Sequence, residues 1–228
     1  MKVLLDLVDF LFPRLCAGCS QPMRRSEISI CKMCEMRLPI TGISDFEHNQ
    51  VADLFRGRVR DVQAFSFLYF RKSGLTQDLM HQIKYKGNVG LAKELGRLMA
   101  LNSLMHLKDL KYLVTCIPMH PSKRKRRGYN QSELIAESIA NTIGLAFHPE
   151  LLLRLTDSES QTKKKRYDRW ENSVLNYQAK PLTGSDVRSV ILVDDIITTG
   201  ATIEACVHAL QSVGIRQVLV CTMCVTVS

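Results

Sequence analysis

Apolar residues along the chain fall into short continuous runs separated by stretches with helical spacing. Val62 to Phe70 reads as a strand, followed by a long helix from about Leu75. Tyr112 to Ile117 is a second strand-like run. Leu134, Ile135, Ser138 and Ile139 share one face of a helix predicted from Gln131 to Ile143. Leu151 to Leu155 reads as a short strand, and Val190 to Val193 as a buried one with two acids behind it. Ile203, Cys206, Leu210 and Val213 line up on a helix over Ala201 to Val213, with Gly214 at its C-terminal cap. Val218 to Cys224 is the last strand. Alternation of this kind implies an α/β fold: a doubly wound parallel sheet with helices on both faces. The pattern assigns residues 59–228 to this domain and leaves residues 1–48 as a separate small module. The segment from Thr156 to Gln178 is long, polar and basic without periodicity, as functional loops often are.

At the N-terminus Val3, Leu4, Leu7, Val8 and Leu11 fall at helical spacing, but Asp6 and Asp9 interrupt the run. It reads as an amphipathic helix and not as a signal peptide. No stretch approaches the ~20 apolar residues of a membrane span. The expectation is a cytoplasmic protein with reduced cysteines.

Composition adds a bias of charge. The 228 residues carry a net charge of +9, and 46% of them are hydrophobic, enough for a substantial core. Between His120 and Trp170 there are 11 Lys and Arg against 6 Asp and Glu. A localised basic excess argues for anionic partners without choosing among phosphates, nucleic acid and acidic lipid.

Four of the eight cysteines form two pairs, Cys16-x-x-Cys19 and Cys31-x-x-Cys34. Each pair supplies two thiolates from a tight turn, which suits a tetrahedral Zn²⁺ site. Four thiolates leave no open coordination position, so the metal is expected to be structural and to hold together a segment too small to fold on its own core. Cys221 and Cys224 repeat the spacing within a predicted strand, where core packing is the better reading, as it is for Cys116 and Cys206.

The run from Val190 to Thr202 carries the most chemistry. A buried strand meets Asp194 and Asp195, a turn with Thr198, Thr199 and Gly200 follows, and a helix begins near Ala201 and Thr202. Free N–H groups at a helix start bind phosphate, and Gly200 lets the backbone come close to an anion. Two adjacent carboxylates suit the vicinal hydroxyls of a ribose. The bland alternatives are a helix cap or a bare metal site. The stretch resembles the phosphoribosyl pyrophosphate (PRPP) loop of type I phosphoribosyltransferases. That resemblance implies that Asp194 and Asp195 hold the ribose hydroxyls as catalytic residues. It implies too that Thr198, Thr199, Gly200, Ala201 and Thr202 cradle the 5-phosphate.

Two basic segments remain. Lys123 to Arg127 follows a strand end and leads into Gly128, Tyr129 and Asn130. This is the right place for a pyrophosphate group, although a solvated charge run or a nucleic-acid patch would look similar. The second segment, Gln161 to Asn172, mixes Lys163, Lys164, Arg166 and Arg169 with Tyr167 and Trp170. By the resemblance to phosphoribosyltransferases it takes the position of the flexible loop that closes over bound PRPP; the alternative is a platform on which bases of a single strand stack.

Taken together, the Leu-Phe-Pro lead-in, the four cysteines, Ile83-Lys84-Tyr85-Lys86-Gly87, Arg127-Gly128-Tyr129-Asn130-Gln131, the Gln161 to Asn172 segment and the Asp194 to Thr202 loop resemble the ComF/GntX family over nearly the full chain. The resemblance implies a type I phosphoribosyltransferase-like protein that binds PRPP with Mg²⁺, beside a structural Zn²⁺. Lys84, Arg127, Gly128, Tyr129 and Asn130 would form the pyrophosphate side, with Lys163, Lys164, Arg166 and Arg169 in a flexible loop. It implies single-stranded DNA and DNA-import machinery as partners in natural transformation. A transferase with an unidentified acceptor and a catalytically silent PRPP sensor or nucleic-acid adaptor both remain open.

Overall fold

The computed structural model describes residues 12–155, 176–182 and 186–226. The helix expected at the N-terminus and the basic segment of Gln161 to Asn172 lie outside these. The described elements are α1 (Lys32–Met36), β1 (Val62–Phe70), α2 (Leu75–Tyr85), α3 (Val89–Met99), β2 (Tyr112–Cys116), α4 (Pro121–Arg127), α5 (Gln131–Ile143), β3 (Ala146–Phe147), β4 (Leu152–Arg154), β5 (Tyr177–Ala179), β6 (Ser189–Ile197), α6 (Ala201–Ser212) and β7 (Gln217–Thr226).

Five strands form one sheet in the order β1-β7-β6-β2-β3, and every pair in it is parallel. Strands buried on both faces need continuous apolar runs. Val190 to Val193 and Val218 to Cys221 supply them, each residue being 1% exposed or less. On one face α3 and α5 bring Leu91, Leu95, Ile135 and Ile139 onto Ile191, Val193 and Leu219. On the other, Ile203, Val207 and Leu210 of α6 pack with Val190, Leu192 and Val220. Chain crossing on both faces is the doubly wound arrangement. Gly96 of α3 lies so close to α5 that a Cβ would stand 2.7 Å from the Ile135 carbonyl oxygen.

Three features differ from the sequence pattern. The long helix from Leu75 is two helices. Gly87, at φ +70°, breaks it, and the Asn88 side chain caps α3 by accepting from the Leu91 amide at 3.0 Å. The strand at Val190 does not end before the acids: β6 runs on to Ile197, with Asp194 paired to Thr222 and Ile196 to Cys224 of β7. The Leu151 strand does not join the main sheet. Leu152–Arg154 pairs antiparallel with Tyr177–Ala179, which the polar stretch before it hides in the sequence.

The four-cysteine segment packs on the first face, where Cys16, Ala17, Ile30, Cys34 and Leu38 share a core with Phe65, Leu79 and Ile83. Beyond it the chain covers the open edge of β1. The Thr41 amide donates to Phe67 O, the Tyr69 amide to Pro39 O, and Phe46 stacks on Phe65 at 4.6 Å. Among the described residues no helix is long and apolar enough to cross a membrane.

Candidate functional site

The site lies at the C-terminal ends of the strands, where a doubly wound sheet leaves its crevice. β6 delivers the two acids. Asp195 is 7% exposed. One of its oxygens accepts from Gln131 Nε2 at 2.7 Å and pairs with Lys84 Nζ at 2.8 Å. Asp194 Oδ1 accepts from the Ser132 hydroxyl at 3.0 Å and from the Asp195 amide at 2.9 Å. Burial, and next the negative charge of Asp195, raise the Asp194 carboxyl to about 7; the Asp195 amide and Ser132 hydroxyl pull the other way. Asp194 therefore holds a proton for part of the time near neutrality.

The partners of these acids come from α2 and the start of α5, and local structure explains their placement. Asn130 caps α5, accepting from the Ser132 amide at 3.2 Å, while its Nδ2 donates to Ile117 O at 3.0 Å. One side chain therefore fixes the helix start to the end of β2. Gly128 ends α4 in the left-handed conformation. Tyr129 donates its hydroxyl hydrogen bond to Ile83 O, tying this corner to α2 one residue before Lys84. Arg127 donates to Gln131 Oε1 and lies over the Tyr85 ring, 5.6 Å from its centroid.

After β6 the chain turns through Thr198 and Thr199 to Gly200, which caps α6 at φ +77°. The ring of Phe55 fills the space beside Gly200, and a Cβ there would stand 3.0 Å from it. Arg58 donates to Thr199 O at 3.2 Å and pairs with Glu204, a side chain 3% exposed, at 2.6 Å. The segment from Phe55 to Arg58 thus braces the turn from outside.

Two hollows result. The larger, about 330 Å³, is lined by Lys84, Lys123, Arg127, Asn130, Gln131, Ser132, Arg154, Tyr177, Asp194, Asp195 and Thr202, among others. The smaller, about 70 Å³, is bounded by Thr198, Thr199, Gly200, Ala201, Thr202 and Asp194. They adjoin at Asp194 and Thr202. The geometry can hold a small anion in the turn and a larger, polyanionic group beside the cations. Gly128 and Tyr129 line neither hollow and act on the framework. Arg124 is turned away to Glu133 at 2.9 Å. Lys163, Lys164, Arg166 and Arg169 lie outside the described residues. Arg154 and Tyr177 join the site although the sequence pattern does not mark them, because the short hairpin that carries them has no readable period. Burial raises the Tyr177 hydroxyl to about 12. Ser132 is a further addition; its place directly after the Asn130-Gln131 motif is the one signal for it in the sequence.

On the other side of α2, the sulfurs of Cys16, Cys19, Cys31 and Cys34 lie within 4.8 Å of one another. Sulfurs at the corners of a tetrahedron with ~2.3 Å Zn–S bonds stand about 3.8 Å apart, and Cys19 and Cys31 are 3.7 Å apart. The amides of Gly18 and Cys31 donate to Cys16 Sγ at 3.3 and 3.1 Å. Burial raises the Cys16 thiol, but these backbone donors outweigh it and bring it down to about 7. Such a donor set stabilises thiolate, and four thiolates so placed could bind a metal such as zinc.

Residues 131–226 match the family model for the phosphoribosyl transferase domain. Competence protein ComFC of Bacillus subtilis (strain 168) is 22% identical over 203 residues, which cover 88% of this chain and 79% of that protein. DNA utilization protein YhgH of Salmonella typhi is 27% identical over 153 residues, 65% of this chain and 66% of the relative. Competence protein F of Haemophilus influenzae is 24% identical over 148 residues, 62% of this chain and 64% of the relative. The chain thus spans slightly less than two thirds of the length of the last two.

Proposed function

We propose that this chain, a ComF-family protein with a phosphoribosyl transferase domain, binds Mg-PRPP in the adjoining hollows and serves the handling of incoming DNA. One observation carries the ligand: two acids at the end of β6 flow into a Thr-rich turn that caps a helix, with a cluster of cations opposite. In this reading the amides and hydroxyls of Thr198 to Thr202 take the 5-phosphate. Asp194 and Asp195 take the ribose hydroxyls. Lys84, Lys123 and Arg127 face the pyrophosphate. Among the described residues lining the larger hollow these two aspartates are the only acids, so they would also steady the Mg²⁺. Bound Mg²⁺ supplies charge neutralisation on the leaving group.

The residues then act mainly by placement. When the bond from C1 to pyrophosphate oxygen breaks, negative charge grows on the departing group, and cations already in position stabilise it without reorganising. The positive character left at C1 lies near the paired carboxylates. The acceptor that would attack C1 is unassigned, and the ion pair between Lys84 and Asp195 also fits a protein that binds PRPP as a signal without transfer.

The same reading makes residues 1–48 a zinc module and residues 59–228 the transferase-like domain, in the cytoplasm. Relatives named for competence and DNA utilization support a role linked to DNA, and the reading adds single-stranded DNA and import machinery as the partners. Calorimetric titration with Mg-PRPP tests the ligand. Saturable binding in the wild type and a loss of at least 100-fold in Asp194→Ala/Asp195→Ala are expected. No heat from folded wild-type protein would sink the reading.

A further inference from the structure

A hollow of about 950 Å³ lies at the opposite end of the sheet from the aspartates. Its walls come from the residues just before β1, β6 and β7 and from the outer part of α6. They include Arg58, Arg60, Arg188, Arg216 and His208, against one acid, Asp61.

The arginines are set by the sheet itself. Val62 pairs with Val218, and Ser189 with Gln217. Carried back towards the strand starts, these registers bring Arg60, Arg216 and Arg188 into one row. Backbone bonds hold that row in place: the Arg216 amide donates to Arg188 O at 2.8 Å, the Val218 amide to Asp61 O at 3.2 Å, and Gln211 Nε2 to Arg60 O at 2.8 Å. Neighbouring parallel strands are ~4.8 Å apart, so the three side chains start from closely spaced points. The Arg58 side chain is already committed to Glu204. Among the described residues the side chains of Arg60 and Arg216 make no hydrogen bond or ion pair, and both residues are exposed.

Like charges in a row at such spacing repel one another. A ligand with regularly spaced negative charges relieves that repulsion, and one phosphate cannot serve the whole row. We propose that this cleft binds the phosphodiester backbone of a single-stranded nucleic acid, apart from the PRPP site. Its cations line an open, curved cleft that a flexible strand can follow, and among the described residues no helix projects there to enter a duplex groove. A duplex, with a persistence length on the order of 50 nm, is too stiff to bend into it. None of the described residues lining the cleft is Phe, Tyr or Trp, so binding should read the backbone and not the bases. The inference deepens the DNA-handling part of the proposed function and does not depend on PRPP binding.

The test is fluorescence anisotropy of a labelled 20-nucleotide oligothymidylate with the full chain over a range of salt. The variants are Arg60→Glu/Arg216→Glu and a control with the same charge change on the exposed outside of α4, Lys125→Glu/Arg126→Glu. The cleft variant should lose at least tenfold in affinity. A milder Arg60→Gln/Arg216→Gln should flatten the salt dependence by about 1.4 in log–log slope, at ~0.7 for each phosphate no longer neutralised. The α4 control should change less than threefold. Equal losses in both Glu variants, or none in the cleft variant, would overturn the proposal. So would a wild type that ignores the oligonucleotide, or one that binds only free tripolyphosphate through these arginines. Calorimetry with Mg-PRPP on the cleft variant should be unchanged, which shows the fold intact and separates this failure from failure of the PRPP reading.

Discussion

The two ends of the parallel sheet handle charge in opposite ways. At the C-terminal end the charged groups already satisfy one another: Asp195 holds Lys84 and Gln131, Asp194 holds Ser132, and Arg127 holds Gln131. At the N-terminal end Arg60 and Arg216 stand without side-chain partners among the described residues. In the proposed reading the first end is preorganised for one compact ligand, whose groups would replace contacts already present. The second gains from any extended anion, and its binding should be far more sensitive to salt. Arg58 links the two, lining the basic cleft while holding Glu204 and the Thr199 carbonyl.

The largest effect should therefore come from Arg58→Ala. The change leaves Glu204 buried and uncompensated, for Arg58 is its only cationic partner among the described residues. Breaking a buried pair from one side costs about 3–5 kcal/mol, and the partial exposure of Arg58 trims this to about 2–3. Thermal unfolding should fall by roughly 5–10 °C at 2–4 °C per kcal/mol, and PRPP affinity should fall with it as the Thr199 turn loosens. Arg58→Ala/Glu204→Gln should recover most of the stability but not the affinity. Arg60→Ala, two residues away, should leave stability within about 0.5 kcal/mol. Equal behaviour of Arg58→Ala and Arg60→Ala would erase the distinction between a bracing arginine and a binding one.

Gly200→Ala is the next test. The position combines φ +77° with a Phe55 ring that would stand 3.0 Å from a new Cβ. A left-handed backbone at a non-glycine residue costs about 1–2 kcal/mol, and the ring must shift as well. PRPP affinity should fall about tenfold or more while oligonucleotide binding at the other end stays the same. An unchanged PRPP titration would mean that the turn does not carry the phosphate.

The same contrast explains what is legible in the sequence. The turn from Asp194 to Thr202 is a local object: acids, threonines, glycine and helix start follow one another in the chain. The cysteine pairs are local in the same sense. The long apolar strands are legible because burial on both faces demands unbroken runs. The arginine row is not, since Arg60, Arg188 and Arg216 are far apart in sequence and meet only through strand order and register. The hairpin bearing Arg154 and Tyr177 is hidden because three-residue strands show no period. The Lys84 to Asp195 contact depends on how α2 packs, although its flanking motif is visible. Local chemistry can be read from the residues, whereas chemistry assembled across the sheet requires its topology.

The subtlest expected effect concerns the proton that Asp194 holds at the C-terminal end. Folding raises the Asp194 carboxyl from its ordinary value of 3.8 to about 7, first through burial and then through Asp195. The folded state therefore holds this proton more tightly than the unfolded chain does. The sign follows from linkage: the stability this gives is complete below about 3.8 and is lost as pH rises through about 7. Asp194→Asn removes the titration while keeping an oxygen that can accept from Ser132 and from the Asp195 amide. Its unfolding temperature should match that of the wild type below about pH 3.8 and exceed it by a growing margin up to about pH 7, above which the margin levels off. Opening of the site to solvent limits the gain to about 1–2 kcal/mol, a few degrees in a chain of this size. Asp195→Asn should not share the gain, because it strips Lys84 of its partner. Asp194→Asn should also bind PRPP poorly at every pH, so stability and ligand binding would move in opposite directions at one residue. A temperature difference that stays flat from pH 3.5 to pH 8 would mean that Asp194 titrates in the folded protein as an ordinary carboxylate does.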